Sequence, residues 1–394
     1  MYWKRRFFEN IAGTSETPHT MEISRSHGAF IYNEKGEAYL DFLSGFNVSN
    51  IGHSNPKIIE AIQNQAQHYL HTTVYGEHIQ SPQIRLAQSL SNMLPESLGS
   101  CYFLSTGSEA IDAAIKLSRS YTNRSEIIVC KNAYHGSTIG AESLRSDYSA
   151  RNVFYPLLPG IKFIEYGNEK DLNEISIHTS AVIMECFQAE AGVRIASDAY
   201  FIKLREKCNR SDVLLIFDEI QTGMGRTGRL FAFQHTSIKP DILLLGKALG
   251  AGLPLAAVVS SSKILSSFQS NPVLAYITTF GGNPLCCAAG FAALSLILEQ
   301  NLCAQAVKNE TSIMESLKHP MIKEIRGKGN FLGVELHHHI NPREVIRQCY
   351  EQKLILDGFL FDDRSIRIMP PLDIAENDLR KGLEIFKSVL SSIE

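Results

Sequence analysis

Short apolar or β-branched runs alternate along the chain with stretches of helical period, and that alternation predicts an α/β fold on a mostly parallel sheet. The runs occupy residues 127–131, 162–166, 181–185, 213–217, 242–246 and 256–260, each bounded by polar, Gly or Pro positions. Their unbroken hydrophobicity suits strands covered on both faces. Over residues 109–119, Ile111, Ala114, Ile115 and Ser118 fall on one side, which predicts an amphipathic helix. From Pro284 the segment PLCCAAGFAALSLILEQ reads as a nearly all-apolar helix buried between domains. Beyond about residue 290 the spacing changes to long helices around RGKGNFLGVEL, read as one strand, and a late strand near 365–369. A smaller C-terminal domain is expected there.

Length and composition narrow the class. The 394 residues imply two to three domains, and 44% hydrophobic and 20% charged residues with 27 Gly exclude disorder, collagen and coiled coil. A formal charge of −3 carries no basic excess, so neither nucleic acid nor an anionic membrane is an expected partner. None of the eight cysteines forms a C-x-x-C pair, and Cys286 and Cys287 are neighbours in an apolar run. They read as buried hydrophobes of a reducing compartment. The basic start MYWKRRFFEN is followed by no apolar stretch of signal-peptide length, and the longest apolar run, 284–298, is shorter than the ~20 residues that span a bilayer. The expected location is cytoplasmic. His337, His338 and His339 have no acidic or Cys neighbour in sequence, so no metal site is assigned to them.

Candidate chemistry sits where the runs end. Glu185 follows AVIM, Asp218 follows VLLIF and Lys247 follows ILLLG. In open parallel sheets ligands bind beyond the carboxyl ends of the strands, so these groups face a crevice. Ser105-Thr106-Gly107-Ser108-Glu109 follows the apolar CYFL and opens a helix. Thr106 and Glu109 match a capping box. The N–H groups of that helix start, Gly107 and the hydroxyls of Thr106 and Ser108 form a candidate anion cradle; taken alone, the segment is also an ordinary N-cap. A lysine, a carboxylate and a phosphate cradle together suit pyridoxal 5'-phosphate. That cofactor needs an amine of lowered pKa to hold its aldehyde, and a carboxylate to keep its ring nitrogen protonated. Lys247 and Asp218 are the candidates. Tyr134 is placed to stack on the ring, or is a core tyrosine.

A competing motif is present. Residues 223–228 spell G-x-G-x-x-G after a strand, with Asp241 further on, formally a dinucleotide fingerprint. DEIQT separates the strand from the first glycine, and the aromatic, Pro-containing RLFAFQHTSIKPD follows where a helix should open. A dinucleotide-dependent oxidoreductase is therefore the remote alternative. LLLGKAL lacks the glycine spacing of a nucleoside triphosphate loop.

Ordered blocks over nearly the whole chain resemble the class III aminotransferases, pyridoxal-phosphate enzymes of fold type I (aspartate aminotransferase-like). They include GEAYLDFLSGFNVSNIGHSNPKIIEAIQNQ, STGSEAIDAAIKLSR, YHGST, MECFQAEAGV, LLIFDEIQTGMGRTG, PDILLLGKALGAGLPLAAV, TTFGGNPL, IRGKGNFLGVEL and RIMPPL. In style they are similar to the ornithine and acetylornithine enzymes. The resemblance implies a large cofactor-binding domain over 46–289 and a small one built from 1–45 and 290–394. It implies Lys247 as the Schiff-base lysine, Asp218 as the partner of the pyridine nitrogen and Gln221 near the ring hydroxyl. Thr106, Gly107 and Ser108 hold the phosphate in this reading, Tyr134 covers the ring, and His135 and Glu185 join the cofactor-binding set. Thr279, with Thr278 beside it, reaches the phosphate of the other subunit, so a homodimer with shared active sites is implied. Glu190 and Arg367 correspond to a gate pair: the arginine grips the carboxylate of glutamate or 2-oxoglutarate, and the glutamate neutralises it when an amine-ended substrate enters.

Departures from the ornithine-type pattern bear on the substrate. Ser137 replaces an arginine that grips the distal carboxylate of the ω-amino acid, and Phe46 replaces a tyrosine. Cys186 stands for a Pro, Ala189 for a Gly and Tyr276 for a His. The expected activity is transamination of ornithine, acetylornithine or a similar amine with an oxo acid. A racemase, decarboxylase or aminomutase on the same scaffold is the alternative, and a non-enzymatic cofactor-binding regulator is disfavoured by the presence of both Lys247 and Asp218.

Overall fold

A seven-stranded sheet organises the larger part of the chain in the computed structural model, which describes residues 2–74, 76–270 and 272–393. Across the sheet run Ser100–Leu104, Ala256–Ser260, Ile242–Leu245, Leu214–Asp218, Thr179–Met184, Glu126–Cys130 and Ile161–Ile164. All pair in parallel except Ala256–Ser260, which is antiparallel to both neighbours. The six runs expected as strands of this sheet are each present within a residue or two of their anticipated ends.

Alternation decides what covers each face. Ile127, Val129, Ile183, Ile216 and Leu244 turn to the helix Gly107–Thr122, whose Ala110, Ile111, Ala114 and Ile115 are buried against them. Ile128, Val182, Leu215, Phe217 and Leu243 turn to the opposite core, with Leu86, Leu90, Leu294 and Ile297. Truncating a fully buried residue such as Ile216 is expected to cost about 2–5 kcal/mol.

The apolar helix Pro284–Glu299 belongs to this second face, packed on Pro56–His68 and Ser81–Met93, with the helix Leu302–Ser316 also against it. Its Gly290 lets the backbone approach: a Cβ there would lie 2.4 Å from the Leu249 carbonyl oxygen.

Residues 326–336 form a hairpin, correcting the single strand expected there. Ile322–Lys328 and Phe331–Leu336 pair antiparallel, with Lys328 opposite Phe331, so only Gly329 and Asn330 make the turn. Gly329 has φ 60°, a conformation that glycine takes without strain. Ser365–Ile368 adds the third strand, with Arg367 opposite Gly333. A second small sheet joins Ile23–His27, Phe30–Asn33 and Ala38–Asp41 to Leu354–Ile355. Its Leu40 and Phe42 share a core with Val334, Ile366, Leu383 and Phe386, so the two ends of the chain pack together.

Candidate active site

Adjacent strand ends set the centre of the site. Leu214–Asp218 pairs with Ile242–Leu245 on one side and Thr179–Met184 on the other, which brings Asp218, Lys247 and Glu185 to one edge. They line a cavity of about 180 Å³ with Gly107, Ser108, Tyr134, His135, Gly136, Ile220 and Gln221. Asp218 Oδ2 lies 2.7 Å from His135 Nδ1, and Oδ1 accepts the Ile220 N–H at 3.0 Å. Glu185 Oε1 accepts the Ala189 N–H at 3.1 Å. Glu185 Oε2 and His135 Nε2 are buried without a protein partner. Lys247 sits at φ 47°, sterically costly for a side-chain-bearing residue.

Burial and crowding tune the charges. Burial lowers the pKa of Lys247, with Arg367 acting the same way, against the opposing pull of Asp218, Glu190 and Glu185. Burial raises the Glu185 carboxyl well above the usual range, helped by the Asp218 and Glu190 charges and opposed by the Ala189 N–H. A weakened amine beside several carboxyls is the signature of a site built for proton transfer.

The helix Gly107–Thr122 starts beside this cluster with both halves of its capping box formed. Thr106 Oγ1 accepts the Glu109 N–H at 3.2 Å, while Glu109 Oε2 takes the N–H groups of Ser105 at 2.9 Å and Thr106 at 3.0 Å. The cap therefore satisfies its own outermost donors. Ser108 Oγ accepts the Ser137 N–H at 3.2 Å, which leaves the hydroxyl proton for another acceptor. Two glycines keep the space clear: a Cβ at Gly107 would lie 2.9 Å from Ile220 Cδ1, and one at Gly136 would lie 2.1 Å from Ser108 Oγ.

The second half of the site comes from distant segments. Arg367 forks onto Glu190, with Nη2 donating to Oε2 at 2.7 Å and Nη1 to Oε1 at 3.2 Å. Arg367 Nε donates to the Gly358 carbonyl at 2.6 Å, and its guanidinium lies 4.5 Å from the Phe359 ring and 5.2 Å from that of Phe46. Burial works against the Glu190 charge, but Arg367, Gln221 and the Leu360 N–H outweigh it, so its pKa falls below the ordinary value. Gln221 Nε2 donates to Glu190 Oε1 at 3.1 Å, tying this pair to the Asp218 side. Phe46 is exposed, in a turn where Ser44, Gly45, Phe46 and Asn47 all have positive φ.

The family model for Aminotransferase class-III matches residues 11–390. The chain belongs to the class III aminotransferases. It is 35% identical over 382 residues to the acetylornithine aminotransferase of Methanocaldococcus jannaschii, covering 93% of this chain and 92% of that protein. The ornithine aminotransferase of Toxoplasma gondii superposes with a TM-score of 0.90 at 31% identity, over 99% of this chain and 94% of that one. A second structure of that parasite enzyme has pyridoxal 5'-phosphate at partial occupancy in its active site.

This aminotransferase accordingly depends on pyridoxal 5'-phosphate, and the residues of the cavity fit that group. An amine weakened by burial, a carboxylate with unused lone pairs, unpartnered Glu185 and His135 atoms and a glycine-lined helix start with a free hydroxyl proton converge there. The structure does not bring every expected residue to the cavity. Thr106 and Thr279 are exposed outside it, and Thr278 donates to Glu109 Oε1 at 3.4 Å and lines a separate cavity of about 540 Å³. Ser137 Oγ is within 3.0 Å of Tyr134 Oη, so the departure at this position gives a hydroxyl pair beside the cavity. Ile220, Phe359 and Asn47, whose amide lies 3.5 Å from Gln221 Oε1, were not anticipated. No spacing in the sequence marks them, because each is placed by a turn and not by a periodic element.

Proposed function

We propose that this aminotransferase moves the ω-amino group of ornithine, acetylornithine or a similar amine to 2-oxoglutarate, in a homodimer with shared active sites. The observation that carries the reading is the pairing of two devices in one crevice: Lys247 beside Asp218, and the Arg367–Glu190 fork tied to them through Gln221. When bound, the cofactor supplies an electron sink for the substrate carbon as long as its ring nitrogen is protonated. Asp218, oriented by His135 and Ile220, holds that proton. Lys247 Nζ would tether the cofactor at rest and, once the incoming substrate amine has displaced it and freed its amine, would take the proton from the substrate carbon and return it on the other side of the transfer. Gly107 and Ser108 would hold the phosphate, with Thr106 capping their helix from outside the cavity, Tyr134 would cover the ring, and Thr278 and Thr279 would serve the partner's site.

Arg367 binds the oxo acid when Glu190 releases it; for an amine-ended donor the fork stays closed, so one site accepts both substrates. Exposed Val273, Leu274, Ile277 and Phe280 around Thr279 support a subunit contact there. The relatives named above support ornithine or acetylornithine as donor, while Ser137 and Phe46 alter the surface that such a donor meets. The test uses holoenzyme and glutamate with no acceptor. Stoichiometric release of 2-oxoglutarate is the expected result. Racemisation or carbon dioxide release instead overturns the reading in favour of another reaction on this scaffold. A panel of amines with 2-oxoglutarate then identifies the donor.

A further inference from the structure

The glycine-rich segment 223–228 binds no dinucleotide in this reading, yet it carries the most deeply buried charge in its neighbourhood. Arg226 is 0% exposed. Among the described residues its hydrogen-bond partners are all neutral oxygens. Nε donates to Asn50 Oδ1 at 3.2 Å, and Nη2 donates to the same oxygen. Nη1 points at three carbonyls: Asn330 at 3.3 Å, Met369 at 3.2 Å and Pro370 at 2.5 Å. Burial pushes this guanidinium down to about 9, against the distant pull of Asp41 and Asp373. An ion held without a counter-charge is costly, so its geometry is expected to matter.

What the five bonds connect is specific. Asn330 directly precedes the strand Phe331–Leu336, and Met369 and Pro370 directly follow Ser365–Ile368, the strand that carries Arg367 opposite Gly333. Asn50 follows the positive-φ turn that carries Phe46, and Ser44 Oγ of that turn donates to the Met369 carbonyl at 2.7 Å. Upstream of Arg226 on its own segment lies Gln221, which holds Glu190. The hairpin turn presses on the loop: a Cβ at Gly329 would lie 2.6 Å from the Gly228 nitrogen and 2.7 Å from the Arg226 carbonyl oxygen.

We propose that Arg226 is a positioning residue for oxo-acid recognition, its planar fork registering the segments that carry Arg367 and Phe46 against the segment that carries Gln221. This rests on the reading of Arg367 given above. The fork is suited to the task because it spreads its donors in a rigid plane, whereas a lysine offers them from a single atom. Arg367 needs such support because a bidentate carboxylate contact is sensitive to displacement, with misplacement by ~1 Å costing up to ~100-fold.

The test compares Arg226→Lys and Asn50→Ala, each alone and combined with Arg367→Ala, in reconstituted holoenzyme. Asn50→Ala removes two of the bonds with the arginine intact and serves if Arg226→Lys does not fold. Expected are a KM for 2-oxoglutarate raised about 10-fold, a KM for the amine donor within about 2-fold, and no further rise when Arg367→Ala is added. A lowered melting temperature with both KM values unmoved would assign Arg226 to stability alone and overturn the proposal, as would equal rises in the two. The Arg367→Ala parent separates two failures. A wild-type KM for 2-oxoglutarate there overturns the oxo-acid assignment and this inference with it. A raised KM there beside an unmoved one in Arg226→Lys and Asn50→Ala overturns this inference alone.

Discussion

Asp218 and Lys247 stand at the ends of two strands joined by a backbone ladder, whereas Arg367 and Glu190, 177 residues apart in the chain, face each other through a side-chain fork. The ladder belongs to the most buried part of the molecule, so the relative position of the first pair is set by backbone hydrogen bonds and a packed core on both faces. The second pair depends on charged and polar side chains in series. Arg326, for instance, donates to the Gly192 carbonyl at 2.8 Å, close to Glu190, while also bonding Glu335 and Asp362 at 3.0 Å. On the proposed function, chemistry common to every substrate falls to the first pair and discrimination between substrates to the second.

Substitutions can break this comparison. Asp218→Asn has the largest expected effect. On the proposed function it removes the charge that would keep the ring nitrogen protonated, and kcat is expected to fall by ~10²–10⁴-fold with the KM for 2-oxoglutarate little changed. Steady-state kinetics checks this, with cofactor content measured in parallel. Arg367→Ala is expected to act the other way, raising the KM for 2-oxoglutarate by ~100-fold, far more than that for the amine. If both variants divided their effects alike between kcat and KM, the division of labour would be gone.

The smallest expected effect concerns pH. Burial opposes the charge of Glu335, but its bonds to Lys323 at 2.6 Å and to Arg326 hold the carboxyl down to about 2, from an ordinary 4.5. A carboxyl depressed on folding contributes stability above its unfolded pKa and loses it as pH falls. That contribution is therefore present above about 4.5 and disappears towards about 2. Glu335→Gln is expected to cost ~1 kcal/mol at neutral pH and to flatten the acid limb between those values. Denaturant melts at several pH values check it, and an unchanged limb would show that the substrate side does not lean on this network.

Residues following long apolar runs were legible in advance. Glu185, Asp218 and Lys247 each end a run too hydrophobic to be anything but a covered strand, so their charges had to fall at its edge. Thr106 and Glu109 were legible for a similar reason, since both partners of a capping box lie within one turn of helix. Gly329 and Asn330 carried a turn signal inside RGKGNFLGVEL, but continuous strand propensity on either side hid it. The partner of Asp218 at His135, the five oxygens around Arg226 and the contact of Phe46 with Arg367 left no trace in any local pattern.

Periodicity and run length by themselves determined the sheet, the helix that opens at the cradle and the strand ends where charge accumulates, because those features follow from contacts between residues close in sequence or from simple burial. Apart from the Arg367–Glu190 pair, which the family resemblance implied, tertiary structure decided which charge faces which. Such pairings join segments far apart in the chain, 177 residues for Arg367 and Glu190, and whether a buried ion finds a fork, a carbonyl cage or no partner depends on distances that only the assembled core imposes.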